Sequence, residues 1–272
     1  MVSFKPVGRA GNFIFECATA LAYSIKHNLD FSVPHSTTDQ YWCPIYFQHL
    51  QNENFNPNLE SIDIWENGHH YQPLSFEESW KGKNIIIQGY RQSEKYFKEY
   101  RKELLYLFGL KWEFRKDWVA FHIRRGDYVY LPTRHPVITN EFIDKAISYF
   151  TDIGVTRFSM FSDGLDWVRN NVNSAIYPDC EFEYNEKKDD ALENLVFGSF
   201  CEHQISSNGS YGWWMGWLNQ NPDKIVVTPH KDNWFGTDNK YLSTEDIYPE
   251  DWVQIPYTPI YDLPLEEQLM YK

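Results

Sequence analysis

The stretch His122-Ile123-Arg124-Arg125-Gly126-Asp127-Tyr128 gathers two guanidinium groups, an imidazole, a carboxylate and a glycine. Arginine presents a planar fork of donors that matches a pyrophosphate and keeps its charge near neutral pH. Two adjacent arginines in an extended segment point apart. One can reach phosphate while its neighbour is anchored, with Asp127 a candidate anchor. Gly126 allows a turn and a close approach of backbone to a ligand. The same residues could equally form a surface salt-bridge cluster, so their position in the fold decides. A second cluster runs from Gln204 to Trp214, where a strand gives way to a helix through Ser206, Ser207, Asn208, Gly209 and Ser210. The amides and dipole of a helix N-terminus make an anion site. Ser206, Ser207 and Ser210 add hydroxyls, although Ser or Asn here can also be a plain cap. A third cluster, Gly8-Arg9-Ala10-Gly11-Asn12, sets two glycines around an arginine at a helix start. That pattern suits a close ligand approach or a simple turn. In Phe161-Ser162-Asp163-Gly164, Asp163 can cap the next helix or accept from a ligand hydroxyl.

These residues need elements to hold them. Val119, Phe121 and Ile123 alternate with Ala120, His122 and Arg124. Strand period two therefore sets His122 and Arg124 on one face, opposite the apolar set. Apolar residues at helical spacing predict a helix from Gly11 to Asn28, after a short extended start and before a strand at Phe31 to Pro34, a strand–loop–helix–strand opening. Strands are expected at Asn84 to Gly89, Trp118 to Arg124, Arg157 to Ser162, Gln204 to Ser206 and Lys224 to Thr228. Helices are expected at Ser93 to Phe108 with Gly109 as cap, Asn140 to Phe150, Leu165 to Asn171, Asp190 to Cys201 and after Ser210. Trp213, Trp214 and Trp217 read as packing in the last of these. Residues 36–84, rich in Asn, Gln, His and aromatics, read as irregular, and the His69-His70 pair carries no assignment. Strands alternating with helices predict parallel βαβ units and a doubly wound α/β sheet. Ligands then belong beyond the carboxyl ends of the strands. A charged connector near residues 110–117 marks the domain boundary.

Composition narrows the function. The 272 residues carry 38 acidic against 25 basic side chains, a formal charge of −13, which repels nucleic-acid backbones. An anionic ligand needs a local basic site. With 42% hydrophobic residues the chain folds rather than staying disordered. The 18% aromatic content suits a sugar-facing surface or a ring-rich core. Cys17, Cys43, Cys180 and Cys201 show no zinc spacing and suit a reducing compartment. No P-loop, G-x-S-x-G or H-E-x-x-H motif occurs. The start lacks a signal-peptide pattern, and no apolar window would span a bilayer. A cytoplasmic bacterial or viral enzyme is therefore expected, of unspecified oligomeric state.

The order and spacing of the three clusters resemble the inverting α1,2-fucosyltransferases of the blood-group H type, the glycosyltransferase family 11 pattern. His122 to Tyr128 matches that group's H-x-R-R-G-D-Y at every specified position. Gly8 to Asn12 stands for its G-G-x-G-N-Q-like opening. Cys201, His203, Ile205, Asn208, Ser210, Tyr211, Trp213 and Trp214 fit its C-terminal block, and Pro249 to Trp252 its closing P-x-x-W. The resemblance implies a GT-B-like fold: two Rossmann-like doubly wound domains facing a cleft. Residues 1–115 would be the acceptor side and 116–272 the GDP-sugar-binding domain. It also implies GDP-β-L-fucose as donor, no cofactor and no metal, with inverting transfer to O2 of galactose on a glycan acceptor. Arg124 would hold the β-phosphate and His122 would lie by the nucleotide. Arg125, Gly11, Asn12, Asp163, Ser207, Asn208, Ser210 and Tyr211 are expected around the donor. Arg9 could add charge from the first domain. Asp127 stands as a base candidate or as the anchor of Arg125.

The chain departs from the pattern in places. Phe13 replaces the usual Gln, and Gly209 and Gly212 replace serines. Asn194 stands where an aspartate is common, with Glu193 beside it. Guanine offers two N–H donors on one edge, which a carboxylate accepts better than an amide. Either Glu193 takes over or the base preference is loosened. Two other readings remain: a non-catalytic glycan-binding protein, and a GT-B transferase using a different nucleotide sugar.

Overall fold

The structure is a computed structural model and describes residues 1–34, 50, 55–107, 113–186, 191–264 and 268. Cys43 and the expected cap Gly109 lie outside the described residues. The chain divides into two compact units, Met1–Lys111 with Ser243–Pro249, and Trp112–Leu242 with Glu250–Lys272. Residues 243–249 therefore pack with the first unit, although the sequence places them in the second. Asp246 ties them there, accepting from Tyr71 N at 2.9 Å and pairing with Lys95.

The first unit contains β1 (Val2–Phe4), α1 (Ala10–His27), β2 (Ser61–Ile64), β3 (Asn84–Ile87) and α2 (Arg101–Leu107). Its strands are parallel in the order β1-β3-β2. From Ala10 to Ser24 every residue of α1 except Asn12 is buried, as an all-round apolar helix must be. Phe13 packs edge-on to Phe4 at 5.1 Å, which explains an apolar residue where the resembled family carries Gln. Asn28, in the left-handed conformation at φ 51°, closes the helix. The expected strand at Phe31 contributes a single bridge to Val2. The expected helix from Ser93 begins only at Arg101, after two 3-10 turns. Phe97 breaks it: its φ of −144° swings the ring into the core beside Phe15, at 6.0 Å.

The second unit contains β4 (Arg115–Ile123), α3 (Asn140–Thr151), β5 (Arg157–Ser162), α4 (Leu165–Asn171), β6 (Glu181–Asn185), α5 (Ala191–Ser199), β7 (Cys201–Ser206), α6 (Ser210–Leu218), β8 (Val226–Pro229) and β9 (Val253–Ile255). All six strands are parallel, in the order β6-β5-β4-β7-β8-β9. Counted within the unit this is 3-2-1-4-5-6, the Rossmann order, and its direction reverses between β4 and β7. Val119, Phe121 and Ile123 meet α3 and α4 in one core, while Ala120 meets Met215 of α6 on the opposite face. Each fully buried phenylalanine there is worth about 1.5–3 kcal/mol. Trp213, Trp214 and Trp217 are buried and pack on each other and on Trp252.

Three strands escape the sequence reading. β2 and β6 are short and polar in part, and β9 lies beyond the strand expected to be last. In β6, Glu183 accepts from Arg115 at 2.7 Å across the sheet, so a charged residue sits in a strand because its counter-charge is two strands away.

Candidate active site

The crevice rule for doubly wound sheets points to the carboxyl ends of β4 and β7. Register brings His122 beside Ser206 there. Ser207 N donates to His122 O at 3.0 Å, which clips the two strand ends together. Ser207 Oγ accepts from Arg124 N at 3.0 Å and lies 3.3 Å from His122 Nδ1. Its one proton can then go to Nδ1, which leaves the imidazole hydrogen on Nε2. Burial, with the Arg124 charge nearby, pushes the His122 pKa down to about 3. His122 is thus neutral at any working pH and supplies shape and one fixed N–H rather than a proton. α6 presses on it: a Cβ at Gly212 would sit 2.4 Å from Ser206 Oγ and 2.6 Å from His122 Nδ1. This close approach accounts for glycine at 212. A Cβ at Gly209 would meet only Tyr128 Oη at 3.8 Å, and nothing in the structure explains that glycine. Tyr211 packs its ring on His122 at 5.1 Å.

Arg124 leaves the strand end with its guanidinium forked between two carboxylates, Nη1 to Asp163 and Nη2 to Asp127, over the Tyr128 ring at 5.2 Å. Asp127 pairs with Arg124, where the sequence offered it as a base or as the anchor of Arg125. Arg125 turns the opposite way and lies buried on the Trp167 ring at 3.9 Å. Its backbone joins the cluster, donating to Asp163 Oδ1 at 2.8 Å. Asp163 is not the cap of the next helix. α4 starts at Gly164 without a side-chain cap, and the Asp163 carboxylate binds the Arg124–Arg125 turn. Gly126, at φ +27°, makes room: a Cβ there would lie 2.1 Å from Asp163 Oδ2.

Asn208 is buried and turns inward, donating to Pro136 O at 2.8 Å and Trp234 O at 3.4 Å. Its side chain braces the turn before α6. Ser210 opens α6 behind Gly209, half-buried, so the helix start faces the same edge as Arg124. Glu193 and Asn194 lie in the first turn of α5, again at the carboxyl edge of the sheet. Asn194 Nδ2 donates to Glu186 O at 2.8 Å, a bond that no carboxylate could make. Glu193 is the exposed acid of that turn.

In the first unit, Gly8 takes φ +82° and its missing Cβ makes room for Asn12, whose Nδ2 would lie 2.4 Å away. Arg9 is the exposed N-cap of α1, Gly11 is buried in the first turn, and Asn12 Oδ1 accepts from Gln92 Nε2 at 2.7 Å. Gln92 went unnoticed because its partner lies 80 residues away. So did Glu16. This fully buried carboxyl takes Val7 N on both oxygens at 3.1 Å and so holds the loop leading to Arg9. Burial pushes its pKa up to about 9, with Glu66 adding to the rise. The unfolded chain ionises it near 4.5, so the folded state holds the extra proton between those values and stability falls as pH rises. A Glu16→Gln variant, still able to accept from Val7 N, is expected to gain stability over wild type between about pH 5 and 9, most at the alkaline end. Urea unfolding across that range checks it, and a pH-independent difference would refute it.

The two parallel α/β units are of the GT-B kind. The sequence model for Glycosyl transferase family 11 matches residues 83–256, well over half of the chain, and the protein belongs to that family. It is 34% identical over 140 residues to the Escherichia coli O-antigen biosynthesis glycosyltransferase WbnK, covering 50% of this chain and 44% of that one. It is 26% identical over 192 residues to an Escherichia coli alpha-1,2-colitosyltransferase, covering 65% and 64%. To galactoside alpha-(1,2)-fucosyltransferase 2 of Bos taurus it is 25% identical over 245 residues, covering 80% and 69%. The chain thus spans less than two thirds of the length of the two bacterial relatives. Among solved structures it resembles a mutant of Arabidopsis thaliana FUT1 in complex with GDP, with a TM-score of 0.50 and 9% identity over 84% of this chain and 70% of that one, a likeness of fold. No helix among the described residues is long and apolar enough to cross a membrane.

Proposed function

We propose that the protein transfers L-fucose from GDP-β-L-fucose, with inversion and without a metal, to a galactoside hydroxyl, O2 of galactose in the first instance. The observation that carries this is the Arg124 guanidinium, fixed at the carboxyl end of β4 at the strand-order reversal and beside the turn into α6. As the anomeric bond breaks, positive charge grows on the sugar ring, as in glycoside hydrolysis. Negative charge grows on the departing diphosphate. A diphosphate leaves without protonation, so the chain's task is to stabilise that charge. Arg124 and the amides at the start of α6 are donors fixed before the reaction, so they need little reorganisation as it proceeds. Asn208 holds the α6 turn in place, and Glu193 is the carboxylate available to the guanine edge. The first unit, with Arg9, Asn12 and Gln92 at its helix start, would hold the acceptor side.

A second donor is favoured by one finding, the alpha-1,2-colitosyltransferase among the relatives. Colitose lacks the 3-hydroxyl of fucose, and a site built to bond that hydroxyl discriminates strongly. Linkage analysis after incubating GDP-fucose or the colitose donor with a panel of galactosides decides between them. GDP at ~100 times its dissociation constant should stabilise the protein by ~2.7 kcal/mol, and the shift should persist in EDTA. A shift with UDP alone would favour a different nucleotide sugar. Glycan binding without any nucleotide shift would favour a lectin-like protein.

A further inference from the structure

The packing that holds Arg124 continues past the motif that contains it. The Arg124 guanidinium lies over the Tyr128 ring at 5.2 Å. His135 stacks on the same ring at 4.7 Å, with the two planes 15° apart. Phe235 packs in turn on His135 at 6.0 Å. Tyr128 and His135 are half-buried and Phe235 is buried, so a column of rings runs from the arginine into the interior of the second unit.

The chain neighbours of these rings hold the other half of the anion site. Asn208, which braces the turn before α6, donates to Pro136 O at 2.8 Å and to Trp234 O at 3.4 Å. Pro136 follows His135, and Trp234 precedes Phe235. Two dipeptides, His135-Pro136 and Trp234-Phe235, therefore each give a ring to the Arg124 side and a carbonyl to the α6 side. The loops that carry them are tied to each other. Gly236 N donates to Arg134 O and Asp238 N to Thr133 O, both at 2.9 Å. Thr133 Oγ1 donates to Asp238 Oδ2 at 2.8 Å. A Cβ at Gly236 would lie 2.2 Å from Thr133 O, so glycine is what lets the loops meet.

We propose that Tyr128, His135 and Phe235 are positioning residues for Arg124, and that the paired loops 131–136 and 234–239 set where its guanidinium stands relative to the start of α6. This rests on the proposed function, in which those two groups stabilise the departing diphosphate. Two carboxylates fix the prongs of the Arg124 fork but leave its plane free to tilt. An aromatic face removes that freedom, because the cation is drawn towards the ring. The face must itself be held, and the His135 stack holds it. Burial pushes the His135 pKa down, with Arg124 and Arg134 adding to the fall and Asp127 opposing it. The imidazole is then neutral near pH 7 and brings no second positive charge to the ring.

The test is titration calorimetry with GDP and steady-state kinetics on Tyr128→Leu, Tyr128→Phe and His135→Leu, each also made in an Arg124→Ala background. Tyr128→Leu and His135→Leu should lower kcat by about 10–100-fold, as for a catalytic group displaced by about an ångström, with a smaller change in donor KM. Both should weaken GDP binding. Tyr128→Phe keeps the ring and should recover most of what leucine loses. In the Arg124→Ala background the same changes should cost less than about twofold, because residues that act through one group add nothing once it is gone. A merely structural role would lower both backgrounds alike. His135 lies on a loop, so His135→Leu carries the test if Tyr128→Leu does not fold. The assignment is overturned if the leucine variants keep kcat and GDP affinity within about threefold of wild type, or if their losses persist without Arg124. It is overturned also if Tyr128→Phe loses as much as Tyr128→Leu, since the hydroxyl and not the ring would then matter. A wild type that binds no GDP and transfers from neither donor would sink the proposed function and this assignment with it. If the wild type does both and the variants match it, only this assignment falls.

Discussion

Replacing Arg124 with alanine is expected to lower kcat by about 10²–10³, a loss of ~3–4 kcal/mol of transition-state stabilisation, with kcat/KM falling alongside. The size follows from the setting. Arg124 follows a central strand paired on both sides, its backbone N–H is bonded to Ser207 Oγ, and its fork is set by Asp127 and Asp163. Its side chain is 18% exposed, so screening by water is partial and its field on a diphosphate is stronger than that of a surface arginine. A donor fixed in this way acts mainly on charge that develops during the reaction, so kcat should suffer more than donor KM. Arg124→Lys should fall between wild type and alanine, because it keeps the charge and loses the two-pronged geometry. Initial rates with varied donor and saturating acceptor measure both. Near wild-type turnover in Arg124→Ala would remove the basis of the proposed mechanism.

The sequence made the frame of the second unit legible because its central strands are buried on both faces. Continuous apolar runs with period two leave few alternatives, and the bounds of β5 and α4 agree with the expected ones to the residue. The same pattern correctly set His122 away from the apolar face. What escaped was whatever depends on partners far along the chain. β6 reads as polar until Arg115 is found opposite Glu183. Glu66 reads as one acid in an irregular stretch until a turn 24 residues later supplies its amides. The divergence of the two arginines was foreseeable from extended geometry. Which acid would serve which was not, because β4–β5 register, pairing Ile123 with Ser162, is what brings Asp163 alongside Arg124.

That register leads to a pair of opposite effects in the arginine clamp. Before the donor binds, the Arg124 charge is offset by two carboxylates, so an arriving diphosphate must compete with them. The two acids differ in how they are held. Asp163 also accepts from Arg125 N at 2.8 Å and fills the space that Gly126 leaves for it. Asp127 sits on the short helical turn after Gly126, with its side chain 42% exposed. Asp163 thus shapes the turn, while Asp127 is the more easily displaced. Asp127→Asn is expected to tighten GDP binding by on the order of 10-fold, about 1.4 kcal/mol, by removing one competing charge. Asp163→Asn should do the reverse. Its amide oxygen can keep the Arg125 N–H, but its NH₂ then faces the Arg124 fork, donor against donor, and the guanidinium loses its aim. GDP binding should weaken by roughly 10-fold and kcat should fall by ~10–100-fold, as expected when a catalytic group is displaced by about an ångström. Titration calorimetry with GDP, run beside the rate measurements, separates the two variants. Equal changes of the same sign in both would mean that the two acids act only through their charge. Opposite signs would show that one of them orients the arginine and the other occupies the place of the phosphate.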